Sequence, residues 1–99
     1  MPFEGHNQLL QIKDIFMYYL YILQCKDQSL YTGITTDITR RVKEHNSGKG
    51  GKYTRSKRPV KLVYNEEYKD RSKAQVREAE IKLWNRSKKL QLIQKRSFI

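Results

Sequence analysis

The strongest hydrophobic signal in the chain is Tyr18 to Cys25, where aromatic and branched residues follow one another with almost no polar alternation. Such a run reads as a strand apolar on both faces, and so as the central strand of its sheet. Lys26-Asp27-Gln28-Ser29 is a polar turn and Leu30 to Ile34 reads as the returning strand, so the segment predicts a hairpin. Thr35, Thr36 and Asp37 offer N-caps to a helix over Ile38 to His45, which Asn46-Ser47-Gly48 ends. Glycine and cations from Lys49 to Pro59 predict a loop. Val60 to Tyr68 has strand character, Ser72 with Gln75 forms a capping box that opens a helix to about Trp84, and Ser87 to Gln94 predicts a last short helix. The order β-β-α-β-α-α predicts an α+β fold, a small three-stranded antiparallel sheet flanked by helices.

Residues 1–16 break this rhythm. Leu9, Leu10, Ile12 and Ile15 offer at most one amphipathic turn, and Met17 stands directly before the first strand. The expected organisation is a flexible leader (1–16), one domain (17–94) and a short tail (95–99). A chain of 99 residues holds one fold with a modest core. The longest apolar run, Phe16 to Leu23, is far too short to span a bilayer, and no small-residue cleavage site follows it. The single cysteine, Cys25, cannot build a disulfide framework or a multi-thiolate metal site, and reads as a buried strand residue. A soluble, cytoplasmic monomer is expected, with neither membrane nor protein partner implied.

Charge changes the picture. The formal net charge is +11, and its placement is uneven: residues 1–36 hold two basic and three acidic side chains, the remaining 63 carry 19 basic against 7 acidic. That excess favours a polyanionic partner over a small neutral one. The loop from Gly48 to Arg58 concentrates it: its glycines let backbone approach phosphate, Lys49, Lys52, Arg55, Lys57 and Arg58 neutralise a strand, and Tyr53 offers a stacking surface. A plain flexible linker is the structural alternative, and the spacing of a nucleotide-triphosphate-binding loop is absent.

Helical geometry sorts the candidate chemistry. At ~100° per residue, Ile38, Arg41, Val42 and His45 share one stripe while Arg40 and Lys43 lie opposite. An arginine and a histidine on the apolar stripe sit at the rim of a core, although a snorkelling Arg41 and a packing His45 would satisfy the same pattern. The same arithmetic groups Ala74, Glu78, Ile81 and Asn85 and leaves Glu80 aside, while Val76 and Leu83 form a second apolar patch; pairing of Glu78 with Lys82 is the surface alternative. In the hairpin, Tyr19 and Tyr21 point together. A turn of three or five residues would bring Tyr31 to the same face, and one of two or four would separate them.

Taken in order, Tyr19-Leu20-Tyr21, Tyr31-Thr32-Gly33, Arg41, His45 and Glu78 carry a resemblance to the GIY-YIG nuclease superfamily, and within it to the small single-domain YhbQ/YazA-type proteins. The likeness covers residues 17–94. The first motif departs from glycine and isoleucine and the second has threonine in its middle. The resemblance implies a GIY-YIG endonuclease-like fold and a metal-dependent endonuclease that hydrolyses phosphodiester bonds in DNA, structure-specific and linked to repair or processing; a non-catalytic basic nucleic-acid-binding module on the same fold is the rival.

By resemblance, Glu78 would bind one Mg2+ or Mn2+, and Arg41 would hold the scissile phosphate through its charged fork. Tyr21, assisted by Tyr31, would act as general base, and His45 would hold the phosphate or a tyrosine hydroxyl. A free tyrosine ionises near pH 10, so that role calls for neighbouring positive charge, from Arg41 and from water on the metal. Asn85 is not assigned the role of the late asparagine found in some relatives.

Overall fold

A computed structural model describes residues 16–97. Most of the expected leader, residues 1–15, and residues 98–99 of the tail lie outside the described residues. Three strands, β1 (Tyr18–Gln24), β2 (Leu30–Thr35) and β3 (Lys61–Tyr68), form one sheet in the order β2-β1-β3 with both pairings antiparallel. Four helices, α1 (Ile38–Asn46), α2 (Lys52–Arg55), α3 (Arg71–Lys82) and α4 (Arg86–Ser97), complete the described chain. The order is the expected one, with α2 added as a single helical turn inside the segment read as a loop.

The central place of β1 follows from its composition, since both of its faces are covered. On one face Leu20 and Ile22, with Tyr64 of β3, pack against Ile81 of α3, and Leu92 and Ile93 of α4 close over them. On the other, Tyr21, Leu23 and Cys25 pack with Val60, Tyr31 and Val42 of α1. α3 is tied to β3 by a polar clasp: Arg77 donates from Nε and Nη2 to the two oxygens of Glu66, each at 3.0 Å, and the hydroxyls of Tyr64 and Tyr68 donate to the same carboxylate. A fork on a half-buried carboxylate fixes orientation as well as distance.

The hairpin turn decides which side chains share a face. Cys25 N donates to Ser29 O at 2.9 Å, leaving Lys26, Asp27 and Gln28 as a three-residue loop with Gln28 at φ 75°. This is the loop in which a type I turn is followed by a left-handed residue. Asp27 braces it by accepting from the Ser29 amide and hydroxyl at 3.0 and 2.6 Å. The odd loop puts Gly33 opposite Tyr21 and Tyr31 opposite Leu23, so Tyr21 and Tyr31 face the same side.

Helix ends follow local chemistry. Asp37 caps α1 by accepting from Arg40 N at 3.0 Å. The far end is a Schellman motif: Lys49 N bonds Glu44 O at 2.9 Å, Gly48 N bonds His45 O at 3.2 Å, and Gly48 takes φ 87°. α3 starts one residue before the expected capping box, because Asp70 caps it by accepting from Ser72 N at 2.8 Å. Asn85, on the Glu78 stripe, is occupied in starting α4, accepting from Lys88 N at 2.9 Å. Among the described residues, no helix is long and apolar enough to cross a membrane.

Burial on α3 separates its two apolar patches: Ile81 is fully buried, whereas Val76 and Leu83 are 70% and 88% exposed. Ile81→Ala is expected to lower unfolding stability by about 2–5 kcal/mol, and Leu83→Ala to change it by less than about 0.5 kcal/mol. Urea titration with an unchanged m-value checks both.

Candidate active site

The face of the sheet carrying Tyr21 and Tyr31 meets α1 and the segment 48–59. Tyr21, at the centre of β1 and 1% exposed, lies across β2, and a missing side chain makes this possible. A Cβ placed at Gly33 would come within 2.6 Å of the Tyr21 hydroxyl oxygen and 2.8 Å of its Cζ. The glycine of the second tyrosine motif is the floor on which the tyrosine of the first one rests.

From there the phenol reaches α1. Its Oη lies 3.0 Å from Nε2 of the buried His45 and receives Nε–H of Arg41 at 3.4 Å. Arg41 also donates from Nη1 to Glu44 at 3.0 Å and from Nη2 to the carbonyl of Gly50 at 3.2 Å. Three of the five guanidinium N–H groups are thus engaged, which leaves two to give. The Tyr31 ring packs edgewise on the His45 ring at 5.2 Å and lies 6.3 Å from the Tyr21 ring. Tyr53 of α2, 46% exposed, lies against Tyr31 at 5.7 Å with Lys57 Nζ 5.0 Å from its ring. An aromatic path therefore runs from the surface to the buried histidine.

The predicted stripe on α1 is realised: Arg41 and His45 face the tyrosines, while Arg40 is exposed and paired with Glu44 at 3.8 Å. Glu78 is held differently. Its helix packs on the opposite face of the sheet, and its carboxylate, 21% exposed, pairs with Lys82 at 3.0 Å. Its charge still reaches Tyr21, where it opposes ionisation of the phenol. Glu80 pairs with Arg77, away from the tyrosines.

Electrostatics reverse one expectation. Burial raises the Tyr21 pKa above its ordinary value, and the charges of Tyr31 and Glu78 add to this; the hydrogen bond from Arg41 works the other way and does not win. Tyr21 is therefore a neutral phenol at neutral pH in the free protein. His45 is pushed down, first by burial and then by the Arg41 charge, with Glu44 opposing, so its imidazole is neutral as well.

The segment 48–59 is better anchored than its composition suggests. Lys26 N donates to Lys57 O at 2.9 Å, Lys57 Nζ pairs with Asp27 at 3.0 Å, and Asn46 exchanges two hydrogen bonds with Val60, at 2.7 and 3.0 Å. Lys49, Lys52 and Arg55 remain exposed, while Arg58 turns back to the carbonyls of Arg55 and Asn46. Two residues of this segment lie buried beside His45: Thr54, to which sequence reading assigned no part of the site, and Gly50, one of the glycines expected to let backbone approach phosphate, which packs on the imidazole instead. A Cβ at Gly50 would fall 2.1 Å from His45 Nδ1, and Thr54 places its hydroxyl 2.7 Å from that nitrogen. Neither belongs to a periodic pattern; the signal, in retrospect, was a small side chain at each of two positions amid bulky cations.

The family model of the GIY-YIG catalytic domain matches residues 17–91. The chain belongs to the GIY-YIG family. A UPF0213 protein of Staphylococcus haemolyticus is 52% identical over 79 residues, covering 80% of this chain and 96% of its own. A UPF0213 protein of Haloquadratum walsbyi is 57% identical over 75 residues, 76% and 84% of the two chains. Among solved structures, the UPF0213 protein of Bacillus halodurans shares 49% identity and a TM-score of 0.53 over 79% of this chain and 83% of its own. A protein of E. faecalis shares 41% identity and a TM-score of 0.59 over 84% and 88%. Membership of the GIY-YIG family makes this a nuclease-type domain, and the YhbQ/YazA-type resemblance is matched by the UPF0213 relatives.

Two outcomes follow from this geometry. Gly33→Ala is expected to displace the Tyr21 phenol and lower stability by about 1–3 kcal/mol, read by denaturant unfolding and by loss of the Tyr21–His45 contact in NMR spectra. Because folding lowers the proton affinity of His45, the stability this group contributes is full above its unfolded pKa of about 6.5 and is lost as pH falls toward the lower folded value. Wild-type stability should decline through that window, and His45→Asn should decline less; parallel slopes would refute the assignment.

Proposed function

We propose that this GIY-YIG domain is a metal-dependent, structure-specific endonuclease that hydrolyses phosphodiester bonds in DNA in repair or processing. The observation that supports it most is the meeting of Tyr21, His45 and Arg41 through hydrogen bonds of 3.0 and 3.4 Å, beside a run of exposed cations.

Phosphodiester hydrolysis needs an activated water and stabilisation of charge growing on the phosphoryl oxygens. His45 Nε2, as neutral imidazole, accepts the Tyr21 phenolic proton. The phenolate, steadied by Arg41 Nε–H, then takes a proton from the attacking water as the new P–O bond forms and the bond to the leaving oxygen breaks; the leaving oxygen takes a proton from solvent and His45 Nε2 gives its own up to solvent, which restores the neutral pair. Arg41 keeps its two remaining N–H groups for the phosphoryl oxygens, a role that grows as their charge peaks. Tyr31 packs the histidine ring in place.

Glu78 would hold the divalent cation, magnesium or manganese. A single carboxylate is a donor that suits such an ion, since magnesium is commonly held by one or two carboxylates with water and substrate phosphate; among the described residues no three His, Cys, Asp or Glu side chains cluster. When bound, the ion would neutralise phosphoryl charge and steady the leaving oxygen. Lys82, half exposed, would have to release Glu78, to which it is paired at 3.0 Å. Lys49, Lys52, Tyr53 and Arg55 are the expected strand contacts, with Lys57 and Arg58 bracing them.

One observation favours the rival binding module. Tyr21 is 1% exposed and His45 fully buried in the free protein, so water reaches the pair only if bound substrate or loop movement opens it. Incubation of the purified protein with labelled branched, nicked and single-stranded DNA and with RNA, in magnesium and in chelator, separates the two. For the enzyme, Glu78→Ala abolishes metal-dependent cleavage while leaving binding intact or slightly tighter. Arg41→Ala costs both, rate more than affinity, and Tyr21→Phe slows cleavage by at least ~100-fold with the fold unchanged. Binding without any cleavage by wild type gives the module.

Binding itself carries a salt signature. With about five phosphates neutralised, log affinity for duplex DNA should fall with log salt at a slope near −4 to −5. Lys49→Glu with Lys52→Glu and Arg55→Glu should weaken all sequences alike; a flat dependence removes both nucleic-acid readings.

A further inference from the structure

Thr54 is buried at 1% exposure on α2, a turn the sequence did not signal, and its hydroxyl oxygen lies 2.7 Å from His45 Nδ1. We propose that Thr54 is a positioning residue of this site: its oxygen accepts the Nδ1 proton of His45 and selects the tautomer whose Nε2 lone pair faces the Tyr21 hydroxyl.

A proton inventory supports the assignment. Arg41 Nε can only donate, and it points at the Tyr21 oxygen. If His45 carried its proton on Nε2, a neutral phenol would face two donors and its own buried proton would lose its acceptor at His45. With the proton on Nδ1, the phenol donates to Nε2 and receives from Arg41, and Nδ1–H donates to the Thr54 oxygen; the hydrogen then left without a side-chain acceptor is that of the Thr54 hydroxyl, which can turn about its Cβ–O bond, rather than that of a phenol facing a guanidinium and a second donor. The same arrangement holds after transfer. When the proton moves from Tyr21 Oη to Nε2, the phenolate accepts from both Arg41 and His45, and Thr54 continues to accept from Nδ1 of the imidazolium.

The ring has little freedom to choose otherwise. Tyr21 from β1 and Tyr31 from β2 lie against it, Arg41 and Glu44 act on it from its own helix, and the backbone of Gly50 is so close that a methyl group there would enter the ring. At metal-bound histidines a partner that fixes tautomer and ring orientation is commonly worth roughly 10- to 100-fold, and a histidine that must accept a proton at one chosen nitrogen depends on its tautomer in the same way. The segment 48–59 thus serves the site from within as well as presenting cations outside it.

The tautomer does not depend on the nuclease reading, but its catalytic consequence does, and the experiment has one arm for each. Long-range nitrogen–proton NMR of the full chain above the His45 pKa is expected to show Nδ1 protonated and Nε2 as the lone-pair nitrogen. Thr54→Val, close in shape but lacking the hydroxyl, should shift population toward Nε2–H, and Thr54→Ser should restore the wild-type pattern. A wild-type His45 protonated mainly on Nε2 overturns the proposal, as does a Thr54→Val spectrum equal to wild type. Should Thr54→Val not fold, wild type and Thr54→Ser decide. In the second arm, Thr54→Val is expected to slow cleavage by about 10- to 100-fold with unchanged DNA affinity, and Thr54→Ser to recover it. Equal rates in an active wild type and Thr54→Val overturn the catalytic role. An inactive wild type removes the nuclease reading and leaves the tautomer to the NMR arm.

Discussion

The arrangement of this domain turns on the contact between Tyr21 and the bare backbone of Gly33. A phenol on a central strand ordinarily projects away from its neighbours. Here it lies across β2 because the facing position has no Cβ, and any side chain there would sit within 2.6 Å of the hydroxyl oxygen. That tilt delivers the hydroxyl to α1, where His45 and Arg41 meet it. The contact itself depends on turn parity. A three-residue loop with Gln28 in the left-handed region pairs Tyr21 with Gly33; a loop one residue shorter or longer would turn Gly33 and Tyr31 to the other face.

The two faces of the sheet do different work. One is an apolar core sealed by α3 and α4, with the Arg77–Glu66 clasp fixing how α3 sits on β3. The other holds a smaller apolar patch and, beside it, a line of polar groups: a phenol, an imidazole, a threonine hydroxyl and a guanidinium at the rim. Buried polar groups are tolerable only when each is satisfied. The chain from Arg41 through Tyr21 and His45 to Thr54 achieves this without a buried carboxylate, so burial holds the phenol and the imidazole neutral in the free protein. A neutral pair has a proton to pass and a place to receive it.

Charge is distributed around this pair rather than within it. Arg41 favours a phenolate while disfavouring an imidazolium, so it lowers the proton affinity of both groups and keeps free N–H groups for an anion. Lys49, Lys52 and Arg55 stand exposed outside, and Glu78 sits on the helix of the opposite layer, close enough to be felt at Tyr21 and held by Lys82. The exposed cations and the buried pair share one face of the sheet, where the segment 48–59 presents Lys49, Lys52 and Arg55 outward and covers His45 with Gly50 and Thr54.

Much of this was legible in the sequence because it is periodic or local. The apolar run 18–25, interrupted only by Gln24, names a central strand, the 100° arithmetic puts Arg41 and His45 on the inner stripe and leaves Arg40 outside, and Thr35-Thr36-Asp37 announces a cap for α1, which Asp37 supplies. The motif order, read as a resemblance, led to the GIY-YIG family to which the chain belongs. What tertiary structure decided was whatever depends on residues distant in sequence. The hairpin sequence was compatible with loops of either parity, and sheet register selected one. The basic segment read as a loop or linker because composition reports charge, whereas its burial of Gly50 and Thr54 depends on anchors at Asp27, Asn46 and Val60. The Tyr21 pKa went up instead of down because desolvation is a property of the packed site, and a neighbouring arginine on a helical wheel says nothing about how much water has been removed.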